Sequence, residues 1–190
     1  MIGGVRLEGA GGVYGGLKPM FRRGFTLTEM LIVVLILGAL VGIAVPVIRS
    51  GIDSANRAGC LSNLRQIGIG LEGYTQDHAQ RMPVLEAGRR SRSEDVPVME
   101  TVLLDYVGGE EVFRCPADSE QWRISGSSYL WNPLLSGRPK TSLSFFGTEE
   151  PSRIPLVSDK EAWHPQANEG TNFLYADLSA TNEVRFQVSP

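Results

Sequence analysis

The hydrophobic pattern changes character along the chain. From Phe25 to Ile48 there are 24 residues with a single charge, Glu29. As a helix rising 1.5 Å per residue, this run spans about 36 Å, enough to cross a bilayer core with some tilt. Pro46 falls inside it and should bend the axis by removing one helix hydrogen bond. Arg49, Ser50 and Gly51 mark the end of the run. Spacings of three and four then take over at Ile52, Ala55, Leu61, Leu64, Ile67, Leu71 and Tyr74, with Arg57, Arg65 and Glu72 on the other side. That period predicts an amphipathic helix. The two stretches together predict a nearly continuous helix from about Thr26 to about Tyr74. Gly59, Gly68, Gly70 and Gly73 weaken it by up to about 1 kcal/mol each unless close packing requires them. The helix is therefore expected to hold to about Gly68 and to weaken beyond.

Past Pro83 the helical period disappears. Pro83 to Pro97 reads as a loop, and its "GRRSRSED" segment as a solvated, self-neutralising stretch. "METVLLDYV" (Met99 to Val107) predicts a short amphipathic helix with Val102, Leu103 and Tyr106 inward. "SSYLWN" (127–132), "IPLVSD" (154–159), "NFLYAD" (172–177) and "EVRFQV" (183–188) are short and β-rich. Polar "LSATN" between the last two predicts a hairpin loop. So few short strands cannot bury both faces of a sheet, and the long helix supplies the missing surface. The expected fold class is α+β, a long N-terminal helix packed on a small antiparallel sheet. The expected organisation is a leader over 1–24, a membrane-spanning helix over 25–48, the soluble half of the long helix over 49–76, and a globular β domain over 77–190. Trp122, Trp131, Phe145, Phe146 and Trp163 read as core or subunit contact, not as a ligand cage.

Charge sharpens this picture. The chain has 190 residues and a net charge of −3, which argues against broad electrostatic binding of nucleic acid. Residues 1–24 carry +3 and the remainder −6. A basic leader, an apolar run and an acidic body suggest an exported, membrane-linked chain with its amino end inside. The run is too long for the core of an ordinary removable signal. Cys60 and Cys115 are the only cysteines, and no C-x-x-C occurs, which disfavours zinc sites and thioredoxin chemistry. In an exported chain they either form one disulfide or remain separate buried thiols. A disulfide would close a loop of roughly 55 residues, worth about 3–4 kcal/mol if unstrained.

A plain membrane anchor does not explain Glu29. A carboxylate in a spanning helix costs about 2.5 kcal/mol or more near the middle and less near an end. A free α-amino group would neutralise it, and cutting the chain just before Phe25 would create one. The amine of one copy could then meet Glu29 of a neighbour and fix their axial stagger.

"RRGFTLTEMLIVVLILGALVGIAVP" closely resembles the amino-terminal signature of type IV pilins and type II secretion pseudopilins. The shared elements are the basic residues, Gly24, aromatic Phe25, Thr26-Leu27, Glu29, the apolar run and Pro46. The resemblance implies cleavage by a prepilin peptidase between Gly24 and Phe25, N-methylation of Phe25, and an assembly role for Glu29. "MFRRG" has the size of leader this family often uses, so we expect translation to start at Met20. A long cytoplasmic leader is the competing reading.

The later sequence also has a family likeness. "NRAGCLSNLRQIGIGLEGYTQDHAQRMP" looks like the post-membrane segment of prepilin-like proteins abundant in planctomycetes and verrucomicrobia. Those proteins commonly carry a Cys-Pro-x-Asp and a terminal His…Asn-x-Leu-Phe-x-Asp-Gly-His segment. Here "RCPADS" spans Arg114 to Ser119. The terminal segment matches at His164, Gly170, Asn172, Leu174 and Asp177, with Tyr175 in the aromatic slot. It departs after Asp177, where Leu178 and Ser179 replace Gly-His.

Enzyme chemistry finds little support. Ser127, His164 and Asp177 supply triad residue types, but no G-x-S-x-G elbow occurs. No Gly-rich phosphate loop follows a strand. No cofactor is expected, with calcium the one open candidate, because major secretion pseudopilins bind it in a soluble-domain loop. Asp118, Glu120, Asp159, Glu169 and Asp177 supply oxygens that calcium accepts, although their spacing matches no recognisable site. The expected function is a structural subunit of a type IV pilus-like or type II secretion filament, held in the bacterial inner membrane with its C-terminal domain periplasmic before assembly. The implied partners are prepilin peptidase, copies of itself or other pseudopilins, an assembly ATPase, a membrane platform protein and the membrane. The alternative is a membrane-anchored, minor-pilin-like binding protein that uses the leader only for processing.

Overall fold

The computed structural model describes residues 24–164 and 170–186. The expected start at Met20, the candidate ligand Glu169 and the end of the last expected strand lie outside the described residues. The chain divides into two units at Ile43/Ala44.

The first unit, from Gly24, is apolar helix with its side chains exposed. Helix α1 runs over Leu27–Asp77 and accommodates Pro46 within its span. Its core-facing residues begin at Cys60 and continue through Leu64, Ile67, Gly68, Gly70, Leu71 and Thr75. This face is shorter than the spacing predicts, since Ile52 stays 53% exposed. The helix also runs past Gly68, because its glycines sit where the domain approaches most closely. A Cβ on Gly70 would lie 2.5 Å from Val107 Cγ1, and one on Gly59 would lie 2.9 Å from Pro116 Cγ. The lost helix propensity is exchanged for packing that alanine would obstruct.

The second unit builds its sheet from β1 (Tyr129–Trp131), β2 (Pro155–Asp159), β3 (Phe173–Tyr175) and β4 (Ala180–Thr181). The order is β1-β2-β3-β4 and every pairing is antiparallel. Tyr129, Trp131, Leu156 and Leu174 join Leu64, Ile67 and Leu71 in one buried core. Leu174 packs against the position of Gly68, so the sheet rests on the carboxy-terminal part of α1. The α+β expectation therefore stands.

Three local expectations are corrected. The last strand is Ala180–Thr181, inside the segment expected to be a loop, whereas residues 183–186 are not strand. A tight turn causes this: Asp177 Oδ1 accepts from Ser179 N and Oγ, and Tyr175 N donates to Ser179 O. The chain reverses before the polar stretch ends. The expected helix over Met99–Val107 is two single turns, α2 (Met99–Val102) and α3 (Leu104–Val107), with buried Leu103 at the break. The basic loop is not simply solvated. Arg89 is half-buried against Glu100, Nε to Oε1 at 3.0 Å, and donates to Ser125 O. Arg92 reaches Trp122 O and lies over the Trp122 ring.

Candidate functional site

The amino end of α1 carries the expected processing and assembly residues. Gly24 is exposed, with no atom within 4 Å of where a Cβ would stand, and Phe25 is 80% exposed. Glu29 lies in the first turn. Its Oε2 accepts from Thr26 N at 2.8 Å and from Thr26 Oγ1 at 2.9 Å, while Thr26 Oγ1 accepts from Glu29 N at 3.2 Å. Met30 N closes the turn onto Thr26 O. This is a reciprocal capping box, which satisfies amide donors that a helix start leaves open. The carboxylate also lies at the positive end of the helix dipole. The Thr-x-x-Glu spacing before an apolar run carries this signal in the sequence, and Glu29 thus has a structural duty besides the one inferred from its charge. Beyond it, residues 30–48 are exposed throughout. Among the described residues, α1 is the one helix long and apolar enough to cross a membrane.

Cys60 and Cys115 form a disulfide, with Cα atoms 4.9 Å apart. It ties α1 to the loop ahead of the short helix α4 (Gln121–Ser125). Both cysteines are fully buried, and His164 Nε2 lies 3.4 Å from Cys115 Sγ. Asp159 Oδ2 is 3.7 Å from the same nitrogen and accepts from Asn172 N and Nδ2. Burial pushes the Asp159 carboxyl up to about 7, against the opposing hydrogen bonds from Asn172. Burial also lowers the His164 imidazole below its usual range. No spacing rule brings these residues together, because the fold gathers them from α1, the Cys-Pro loop and the end of β2.

Among the described residues, the remaining acids do not converge. Asp118 Oδ1 accepts from Glu120 N and Gln121 N, and its Oδ2 from Trp122 N and Ser128 Oγ. It caps α4, which gives the Cys-Pro-x-Asp segment a local structural reason. Asp177 is engaged in its turn. Among the described residues, the group of three or more metal-type donors is Cys60, Cys115 and His164, and it contains none of the acids weighed for calcium. The triad residue types also have separate partners: Ser127 Oγ donates to Tyr129 O, His164 meets Cys115, and Asp177 holds Ser179.

Residues 20–45 match the prokaryotic N-terminal methylation motif. The chain is also 32% identical over 138 residues to type II secretion system core protein G of Klebsiella pneumoniae, covering 73% of this chain and 91% of that relative. The chain belongs to the type II secretion pseudopilin family. No solved structure matches it significantly. Pseudopilins are structural, pilin-like subunits and not enzymes, in keeping with a site built from a helix cap and an apolar surface. The exposed apolar helix and the pseudopilin relative fit a membrane-anchored protein.

Proposed function

We propose that this chain is a processed subunit of a pseudopilus-type filament, assembled through residues 25–48. The observation that carries the reading is the apolar run itself: its side chains are exposed, and its one charge stands at its head. An uncovered apolar surface of this length needs lipid or other helices around it. In the membrane, lipid covers it, with the amino end cytoplasmic and the C-terminal domain periplasmic. In the filament, the same segments of neighbouring copies do.

A prepilin peptidase cuts between Gly24 and Phe25 and methylates the Phe25 amine. Glu29 Oε2 is already engaged by Thr26, while Oε1 accepts no hydrogen bond from the described residues. The open oxygen is available to the Phe25 ammonium of a neighbouring copy, which fixes the stagger between subunits. A contact of this kind, between different patches of identical chains, propagates without closing. An assembly ATPase and a membrane platform protein supply the motion.

The test is the mature terminus together with the sheared fraction. Terminal sequencing and mass analysis should give N-methylphenylalanine at Phe25, and sheared filaments should contain this chain as a principal component. A different first residue removes the processing step.

One feature favours the alternative, a minor subunit with binding duties. An apolar cleft of about 470 Å³ in the globular domain is lined by Phe145, Phe146, Phe173 and Phe186. A processed chain that stays in the membrane fraction and is absent from sheared filaments supports that reading.

A further inference from the structure

The donor atoms of Cys60, Cys115 and His164 lie within 4.8 Å of one another, and all three residues are buried. His164 Nε2 stands 3.4 Å from Cys115 Sγ and 3.7 Å from Asp159 Oδ2. A tetrahedral zinc site, with Zn–S about 2.3 Å and Zn–N about 2.0 Å, has neighbouring donors about 3.3–3.8 Å apart. The His164–Cys115 separation already matches such an edge. His164 Nδ1 has no hydrogen-bond partner among the described residues, so Nε2, turned to Cys115, is the ring nitrogen with polar neighbours. A disulfide is a weak acceptor and offers no proton, so it gives little reason to aim an imidazole at it; the Asp159 carboxylate, by contrast, is held by Asn172.

We propose that in the dithiol form of the chain Cys60, Cys115 and His164 bind one zinc-class divalent cation, with water at the fourth position. Metal and disulfide are then alternative closures of the same buried site. Binding converts the two thiols to thiolates and releases two protons to solvent. Oxidation takes the other course: an external disulfide accepts two electrons and two protons, leaves as two thiols, and the Cys60–Cys115 bond forms. A cation held at the site is released in that exchange. Before oxidation, the metal would tie α1 to the loop ahead of α4 and keep both sulfurs from pairing with other thiols.

The full-length chain, purified in detergent under a phosphine reductant, is titrated with Co²⁺ as a spectroscopic stand-in for Zn²⁺. The reduced chain should bind one equivalent, with a thiolate-to-cobalt charge-transfer band and the visible bands of tetrahedral cobalt. Added Zn²⁺ should abolish both, and the oxidised chain should show neither. His164→Ala keeps both thiols and should weaken binding by at least about tenfold. His164→Cys replaces one ligand with another and should retain the cobalt bands, which separates loss of a ligand from loss of the fold. Absence of cobalt–thiolate bands in the reduced wild-type chain, whether or not circular dichroism shows it folded, overturns the proposal. Wild-type affinity in His164→Ala overturns it as well.

Discussion

Thr26 and Glu29 hold each other at the head of α1, the threonine hydroxyl capping the glutamate amide while the glutamate accepts from the threonine amide and hydroxyl. Glu29 therefore serves a helix that must start abruptly and a charge that apolar surroundings must accept. Thr26→Ala separates these duties from one side. It should weaken the helix start by about 1 kcal/mol while leaving Glu29 charged, so filament yield should fall only modestly. Circular dichroism of the full-length chain in detergent and shearing assays on the same variant check this. Complete loss of filaments in Thr26→Ala would place the essential function in the cap.

Gly24 has open space around it, so a larger residue there meets no packing penalty in the chain itself. Gly24→Leu should fold normally and remain uncleaved, because the obstruction lies in the peptidase. Immunoblotting for precursor and mature forms in membranes reads the result. Mature-sized Gly24→Leu would move the cut elsewhere.

The glycines of α1 divide into two kinds. A Cβ on Gly70 would meet Val107, whereas one on Gly51 would meet nothing within 4 Å. Gly70→Ala should destabilise the domain by about 1–3 kcal/mol through overpacking, and Gly51→Ala should stabilise by up to about 1 kcal/mol through helix propensity. Thermal melts of both variants in detergent compare them directly. Equal shifts of the same sign would contradict the assigned packing.

Asp118 links stability to pH. Burial alone would raise its carboxyl, but hydrogen bonds from Ser128 and the amides of Glu120, Trp122 and Gln121 outweigh it and hold the group below its ordinary 3.8. A lowered folded value gives stability that is present above 3.8 and is lost as the pH falls through the folded value. Asp118→Asn should therefore cost about 1–3 kcal/mol near neutral pH, with the gap to wild type closing in acid. Denaturant melts from pH 7 to about pH 3 test the sign. A gap that stays constant would assign the loss to shape instead of charge.

Much of this architecture is legible along the chain, and the exceptions have physical reasons. The spacing of Leu64, Ile67 and Leu71 is enough to find the buried face of α1. The helix beyond Gly68 is not legible, because Gly70 and Gly73 make sense only once Val107 and Tyr106 are packed on them. The final hairpin is misread for a related reason. Leu178 adopts a left-handed φ of +64°, where glycine is the easier residue, and its Cδ2 lies 3.5 Å from where a Cβ on Gly68 would stand. Packing across the domain fixes a turn that local propensity disfavours. At the amino end, Gly24, Phe25 and Glu29 stand out by pattern, and the Thr26 cap is equally visible once the Thr-x-x-Glu spacing is weighed. The meeting of Cys60, Cys115, Asp159 and His164 is a product of topology alone.

Glu29→Gln tests the central claim most directly. Glutamine at this position still completes a capping box, so the helix start survives while the negative charge is removed. With the variant as the only copy in the cell, processing to Phe25 should proceed normally and sheared filaments should be absent or greatly reduced. Wild-type filament yield from a fully processed Glu29→Gln chain would contradict the pairing of this carboxylate with a neighbour's terminal amine.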